Sequence, residues 1–166
     1  MSLVNGLPAH ILLVHLVVVL VPLTALALVA GAVWPAAARR MGVVLPVLAF
    51  VTLVSVPLTT QAGEWLERHV TSSALIRRHT ELGDGLLPWA LGLFVLAAAV
   101  WWTARRTSTE RTGTRSASVI RVAAAVLSVA VAAGAVVDVY RIGDSGAKAA
   151  WTGSYSKAET TPGKGN

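Results

Sequence analysis

There is no cysteine in the chain, which excludes disulfides, thiolate metal sites, iron–sulfur ligation and c-type haem attachment. Acidic residues are scarce as well, with 8 Asp and Glu against 14 Lys and Arg, a net charge of +6 at pH 7. A glycine-rich phosphate loop, a G-x-S-x-G nucleophile elbow and the H-E-x-x-H zinc-protease pattern are all missing, so neither phosphoryl transfer nor hydrolysis has support. "HTELGD" from His79 to Asp84 resembles the last of these only superficially. Any metal held here must use His, carboxylate, Met or backbone oxygen. The positive charges form no stripe on a soluble face, which argues against nucleic acid as a partner.

Apolar residues, by contrast, are in excess. They make up 55% of the chain, and a mean hydropathy of +0.67 lies outside the soluble range. They are bunched into four runs, at about residues 8–34, 42–63, 85–104 and 118–140, each near or above the roughly 20 residues that span hydrocarbon. The fold class expected is all-α integral membrane, a four-transmembrane-helix bundle occupying residues 1–151, followed by a flexible polar tail over 152–166. The first run has no basic segment before it and is too long for a signal-peptide core. Despite the small residues of "WPAAA" after it, it reads as the first membrane helix.

Lys and Arg set the orientation. The first loop carries Arg39 and Arg40, and the third carries Arg105, Arg106, Arg111 and Arg115, which places both in the cytoplasm by the positive-inside rule. The second loop balances Arg68, Arg77 and Arg78 against Glu64, Glu67 and Glu81 and falls outside, as do both termini. The setting expected is a bacterial inner membrane crossed several times. Pro22, Pro46 and Pro57 lie within the first two helices, and Pro88 opens the third, where proline costs least. Ala130 and Gly134 stand at small-xxx-small spacing in the fourth helix, which implies close helix packing.

With this topology all four histidines fall on the outer side. His10 and His15 lie in the outer half of helix 1, His69 and His79 in the second loop. Gln61, Glu64, Asp84, Asp138 and Asp144 join them at the same end. Within "TSSALIRRHTELGDG", Ser72 or Ser73 can cap a short interfacial helix between helices 2 and 3. Its periodicity puts Leu75, Ile76, His79 and Leu82 on one face, with Arg77 and Glu81 opposite. His69 falls outside that pattern and is expected to face solvent. His15 lies inside the apolar run, where a polar side chain faces protein or a water-filled cavity, as a ligand or as a core histidine bonded to a carbonyl. His10 and His15 are five residues apart, about 140° around a regular helix, so both cannot reach one ion without unwinding. Asp138 needs a partner, with Arg141, a helix 1 histidine or a bound ligand as candidates.

"GLPAHILLVH", "PLTTQAGEWLE", "HTELGD" and "YRIGDSGAKAAW", in that order, resemble the bacterial four-helix membrane family DUF2231 over nearly the whole chain up to Trp151. The family positions correspond here to His10, His15, Glu64, His79 and Asp144. The resemblance carries no settled activity. Similar proteins can be joined to Rieske-type iron–sulfur domains, which implies redox chemistry at the outer face, and histidine-rich outer ends imply haem or metal binding. The "GDSGAK" element often has His at the position of Asp144, so a bis-imidazole pairing through helix 4 would be altered here, whereas a site accepting carboxylate would survive.

Three readings follow. One is a redox-associated module binding haem b, with His15 or His10 paired to His79. A second is a zinc or copper site drawing on His10, His15, His79, Glu64 and Asp144. The third is a non-catalytic subunit or assembly factor in which these residues, with Gln61, Asp84 and Asp138, form only a structural hydrogen-bond network. The partners expected are membrane lipid and a larger redox complex or a second copy of the chain.

Overall fold

The computed structural model describes residues 3–4, 7–69, 73–106 and 115–151, with side chains over 9–69, 73–106 and 119–151. Most of the third loop and the whole of the polar tail lie outside the described residues. Six helices form within them: α1 Ala9–Val33, α2 Pro35–Met41, α3 Val44–Glu67, α4 Ala74–Asp84, α5 Leu86–Arg106 and α6 Arg115–Trp151. A two-residue antiparallel pair, β1 Leu3–Val4 with β2 Leu7–Pro8, precedes them. Helices α1, α3, α5 and α6 are long and apolar enough to cross a bilayer, which makes this an all-α, multi-pass membrane architecture. Helix α4 is the short connecting helix that the periodicity predicts. Ser73 caps it, its hydroxyl accepting the Ile76 N–H at 3.2 Å.

Helix α2 was not expected, since its residues read as loop. Proline explains it: the residue before proline is driven to extended backbone, and Trp34 adopts φ −119°, ψ 99°, which ends α1. Pro35 then opens a new helix at the position where its missing N–H costs nothing. Gly42 closes α2 at φ +52°, its N–H donating to the Ala38 carbonyl at 3.0 Å. Gly42→Ala is expected to cost about 1 kcal/mol or more, read as a lowered unfolding midpoint in detergent.

Helix α1 packs against α3 and α6, α5 packs against the same two, and α1 meets α5 across the middle. The interior is lined by small and medium side chains, among them Val21, Ala25, Leu28, Leu45, Ala49, Leu93, Ala97 and Ala135. Small residues let helices approach closely where no hydrophobic force between them exists. Equally apolar side chains such as Val19, Leu26, Phe50, Val95 and Val126 face outward, as a bilayer requires. Ala130 is exposed, whereas Gly134 receives the Trp89 ring, so the two small residues serve different surfaces. All six tryptophans stand near helix ends, Trp34, Trp101 and Trp102 at the α2 end and Trp65, Trp89 and Trp151 at the α4 end, forming two interfacial belts.

Several polar groups inside the bundle are satisfied within and between helices, whereas Ser128 Oγ is buried in α6 with no described partner. Thr24 and Thr52 share a hydroxyl hydrogen bond of 2.7 Å between α1 and α3, while Ser55 and Thr59 donate to carbonyls of their own helix. A Thr24→Ala, Thr52→Ala double-mutant cycle is expected to show a coupling of about 0.6 kcal/mol. Strictly additive effects on unfolding in mixed micelles would contradict that bond's contribution.

Helix α6 does not stop where its apolar run ends. At 1.5 Å per residue its 37 residues are about 55 Å long, far beyond the roughly 30 Å hydrocarbon thickness. The extension past Tyr140 packs on α4 and carries the residues that complete the site.

Candidate functional site

Two imidazoles meet at the α4 end of the bundle. His10 is the second residue of α1 and His79 sits on the half-buried face of α4 with Leu75, Ile76 and Leu82, while Arg77, Arg78 and Glu81 are exposed. Their ring centroids lie 6.2 Å apart with an interplanar angle of 81°.

Both rings are held in the same way. His10 Nδ1–H donates to the Thr59 carbonyl of α3 at 3.1 Å. His79 Nδ1–H donates to the Ile142 carbonyl of α6 at 3.2 Å and to Ser145 Oγ at 3.0 Å, and that hydroxyl donates in turn to the Ile142 carbonyl at 2.7 Å. Each ring also lies against a glycine. A Cβ on Gly63 would sit 3.0 Å from His10 Cε1, and one on Gly146 would sit 3.0 Å from His79 Cε1. In both helices the accepting carbonyl and the glycine are four residues apart, Thr59 with Gly63 and Ile142 with Gly146, hence on one face. The missing Cβ lets an imidazole reach a carbonyl that a larger residue would screen.

This geometry decides the tautomer. A carbonyl can only accept, so Nδ1 carries a proton in both rings, and the neutral form of each has its lone pair on Nε2. No hydrogen bond among the described residues engages either Nε2. Helix α4 flanks the membrane spans, and there partial burial first, and the neighbouring His10 second, hold the His79 imidazole below its ordinary pKa. The bond to Ile142 opposes them. His79 is therefore neutral at pH 7.

The other residues singled out in the sequence are placed elsewhere. His15 is on the exposed side of α1, its Nδ1–H turned back to the Ile11 carbonyl at 2.6 Å, so it is not brought to the pair. His69 is exposed and stacks on Trp65, its Nδ1–H donating to the Trp65 carbonyl at 2.7 Å. Gln61, Glu64 and Asp84 are exposed. Asp144 forms an i,i+4 ion pair with Lys148 at 2.7 Å on the exposed side of α6. Asp138 is half-buried, its Oδ2 enclosed beside Gly85 with no described hydrogen-bond partner, and it makes no described ion pair with Arg141. Among the described residues no three His, Asp or Glu gather to hold a metal ion, so the five-residue set His10, His15, His79, Glu64 and Asp144 does not assemble.

The residues that build the cradle, Thr59, Gly63, Ile142, Ser145 and Gly146, were not anticipated. Their signal is a glycine inside a helical stretch at the same end as a histidine, in "TTQAG" and "IGDSG". A family model described as predicted membrane protein (DUF2231) matches residues 6–158. The chain belongs to the DUF2231 family. The matched span takes in all six helices, and with them both imidazoles and both glycines of this DUF2231 protein. No curated protein and no solved structure matches it.

Proposed function

We propose that this DUF2231 protein is a redox-associated membrane module that binds one metal centre through His10 and His79. The observation that carries the reading is the matched cradle. Ligating histidines almost always donate the second ring N–H to a carbonyl or carboxylate, which fixes the tautomer and ring orientation. Both rings here are already held so, with Nε2 left over. His10 and His79 would be the residues that hold a haem b iron, or two of the donors to a zinc or copper ion. No third side-chain donor joins the pair among the described residues, so two imidazoles are what the chain itself would offer either centre. A haem would supply one-electron exchange; the chain's own part is to present two neutral nitrogens and exclude lipid.

Orientation belongs to the same reading. The described carboxylates all lie toward the α4 end, while the α2 end carries Arg39, Arg40, Arg105 and Arg106 without an acid beside them among the described residues. By the positive-inside rule the α2 end is cytoplasmic. The imidazole pair and both termini then face outward across a bacterial inner membrane, where a larger redox complex or a second copy can reach the site.

A second reading has an observation of its own. The His10 and His79 bonds tie α1 to α3 and α4 to α6, so they act as structural links with or without a ligand. The protein is then a non-catalytic subunit or assembly factor. Haem and metal content per chain, measured on protein purified in mild detergent, separates the two. His10→Ala is expected to lower bound centre by about tenfold or more and His15→Ala to leave it unchanged. Loss in His15→Ala with retention in His10→Ala would overturn the assignment.

A further inference from the structure

At the opposite end of the bundle, we propose, the protein holds one anionic phospholipid, its phosphate on Arg40 and the start of an acyl chain in the groove beside Trp34. The groove has a volume of about 240 Å³ and is lined by Trp34, Ala36, Ala37, Arg40 and Met41. Its wall is apolar apart from one guanidinium, which matches a molecule that is itself apolar with one phosphate. Enclosed sites for whole small molecules usually measure about 300–1,000 Å³. This one takes the phosphate on Arg40 and the first methylenes of an acyl chain against its apolar wall, and leaves the rest of the lipid in the bilayer.

Position and charge support the occupant. Pro35 turns the chain at the end of α1, so α2 lies across the bundle end against α5, with Ala38 buried and Met41 against the core. The turn puts Arg39 and Arg40 at the end where α5 finishes in Arg105 and Arg106. Arg105 lies over the Trp101 ring at 5.1 Å and Arg106 over Trp102 at 4.7 Å. An arginine stacked on an indole keeps its edge N–H groups free for a phosphate. The one ion pair among the described residues, Asp144 with Lys148, is at the other end of the molecule, so no described carboxylate competes for these guanidiniums. Clusters of arginine at the edge of membrane helices attract anionic headgroups in this way.

The test titrates phosphatidylglycerol, phosphatidylcholine or inorganic phosphate into the full-length protein in mild detergent and follows thermal unfolding by tryptophan fluorescence. Phosphatidylglycerol is expected to raise the midpoint saturably, and the other two are not. Arg40→Gln should weaken the apparent affinity by about tenfold or more, since a charge-assisted bond is lost. Arg40→Lys should recover part of it, and Arg77→Gln, at the far end, should behave as wild type. Native mass spectrometry should show one phosphatidylglycerol retained by wild type and not by Arg40→Gln. Equal stabilisation by phosphatidylcholine, an effect of phosphate alone, or an unchanged affinity in Arg40→Gln would each overturn the proposal.

Discussion

Gly146→Val is expected to strip the bound centre as thoroughly as His79→Ala, although it removes no donor atom. A Cβ at 146 would stand 3.0 Å from His79 Cε1 and 3.3 Å from Nδ1, and valine adds two methyl groups that cannot turn away from the ring as a flexible chain can. The imidazole must then leave the Ile142 carbonyl, losing the bond that fixes its tautomer, and metal affinity falls by about 10- to 100-fold when such a partner is lost. Gly143→Val supplies the control. It makes the same exchange one turn away in α6, but a Cβ there meets nothing within 4 Å, so helix propensity changes equally and the ring is untouched. Haem and metal content of the two variants is the readout. Equal retention in both would show that the glycine cradle does not hold the ring.

The second large effect concerns stability. Gly134→Ala would drive a Cβ into Trp89 Cζ3 and Cη2, closer than any real contact, so the indole must swing off α6. Overpacking of this kind costs about 1–3 kcal/mol, and the rigid two-torsion indole puts the expected loss near the upper end. Trp89→Leu in the Gly134→Ala background should restore part of the loss, because it removes the colliding ring. A double-mutant cycle of unfolding in mixed micelles therefore predicts a favourable coupling of about 1 kcal/mol or more. Additive losses would mean that the ring relocates without cost.

How much of this was legible depends on which force wrote each feature. Lipid demands continuous apolar runs, and those made the first three spanning helices and the start of the fourth readable to within a few residues. Helix α4 was readable because it lies outside the bilayer, where a polar face and an apolar face still differ. Inside the bilayer that contrast vanishes. Helix 1 is apolar all round, so its sequence shows that His10 and His15 point in different directions and not which of them turns inward. Packing decides it, by presenting the Thr59 carbonyl and Gly63 to His10 and an outward position to His15. The end of α6 was placed too early for a related reason. Arg141, Asp144 and Lys148 end the apolar run, but no proline follows until Pro162, and contact with α4 carries the helix on to Trp151. The glycine cradles were hidden because their partner atoms are backbone carbonyls, which leave no mark on residue identity.

The most direct measurement is the visible spectrum of the wild-type protein in mild detergent, oxidised and then reduced with dithionite, with metal analysis of the same sample. One centre per chain is expected: a Soret band with sharpened α and β bands on reduction if it is haem, or one equivalent of zinc or copper in a sample without a Soret band. A colourless, metal-free protein that stays so after incubation with haem, zinc and copper would contradict it, leaving His10 and His79 as structural links between helices.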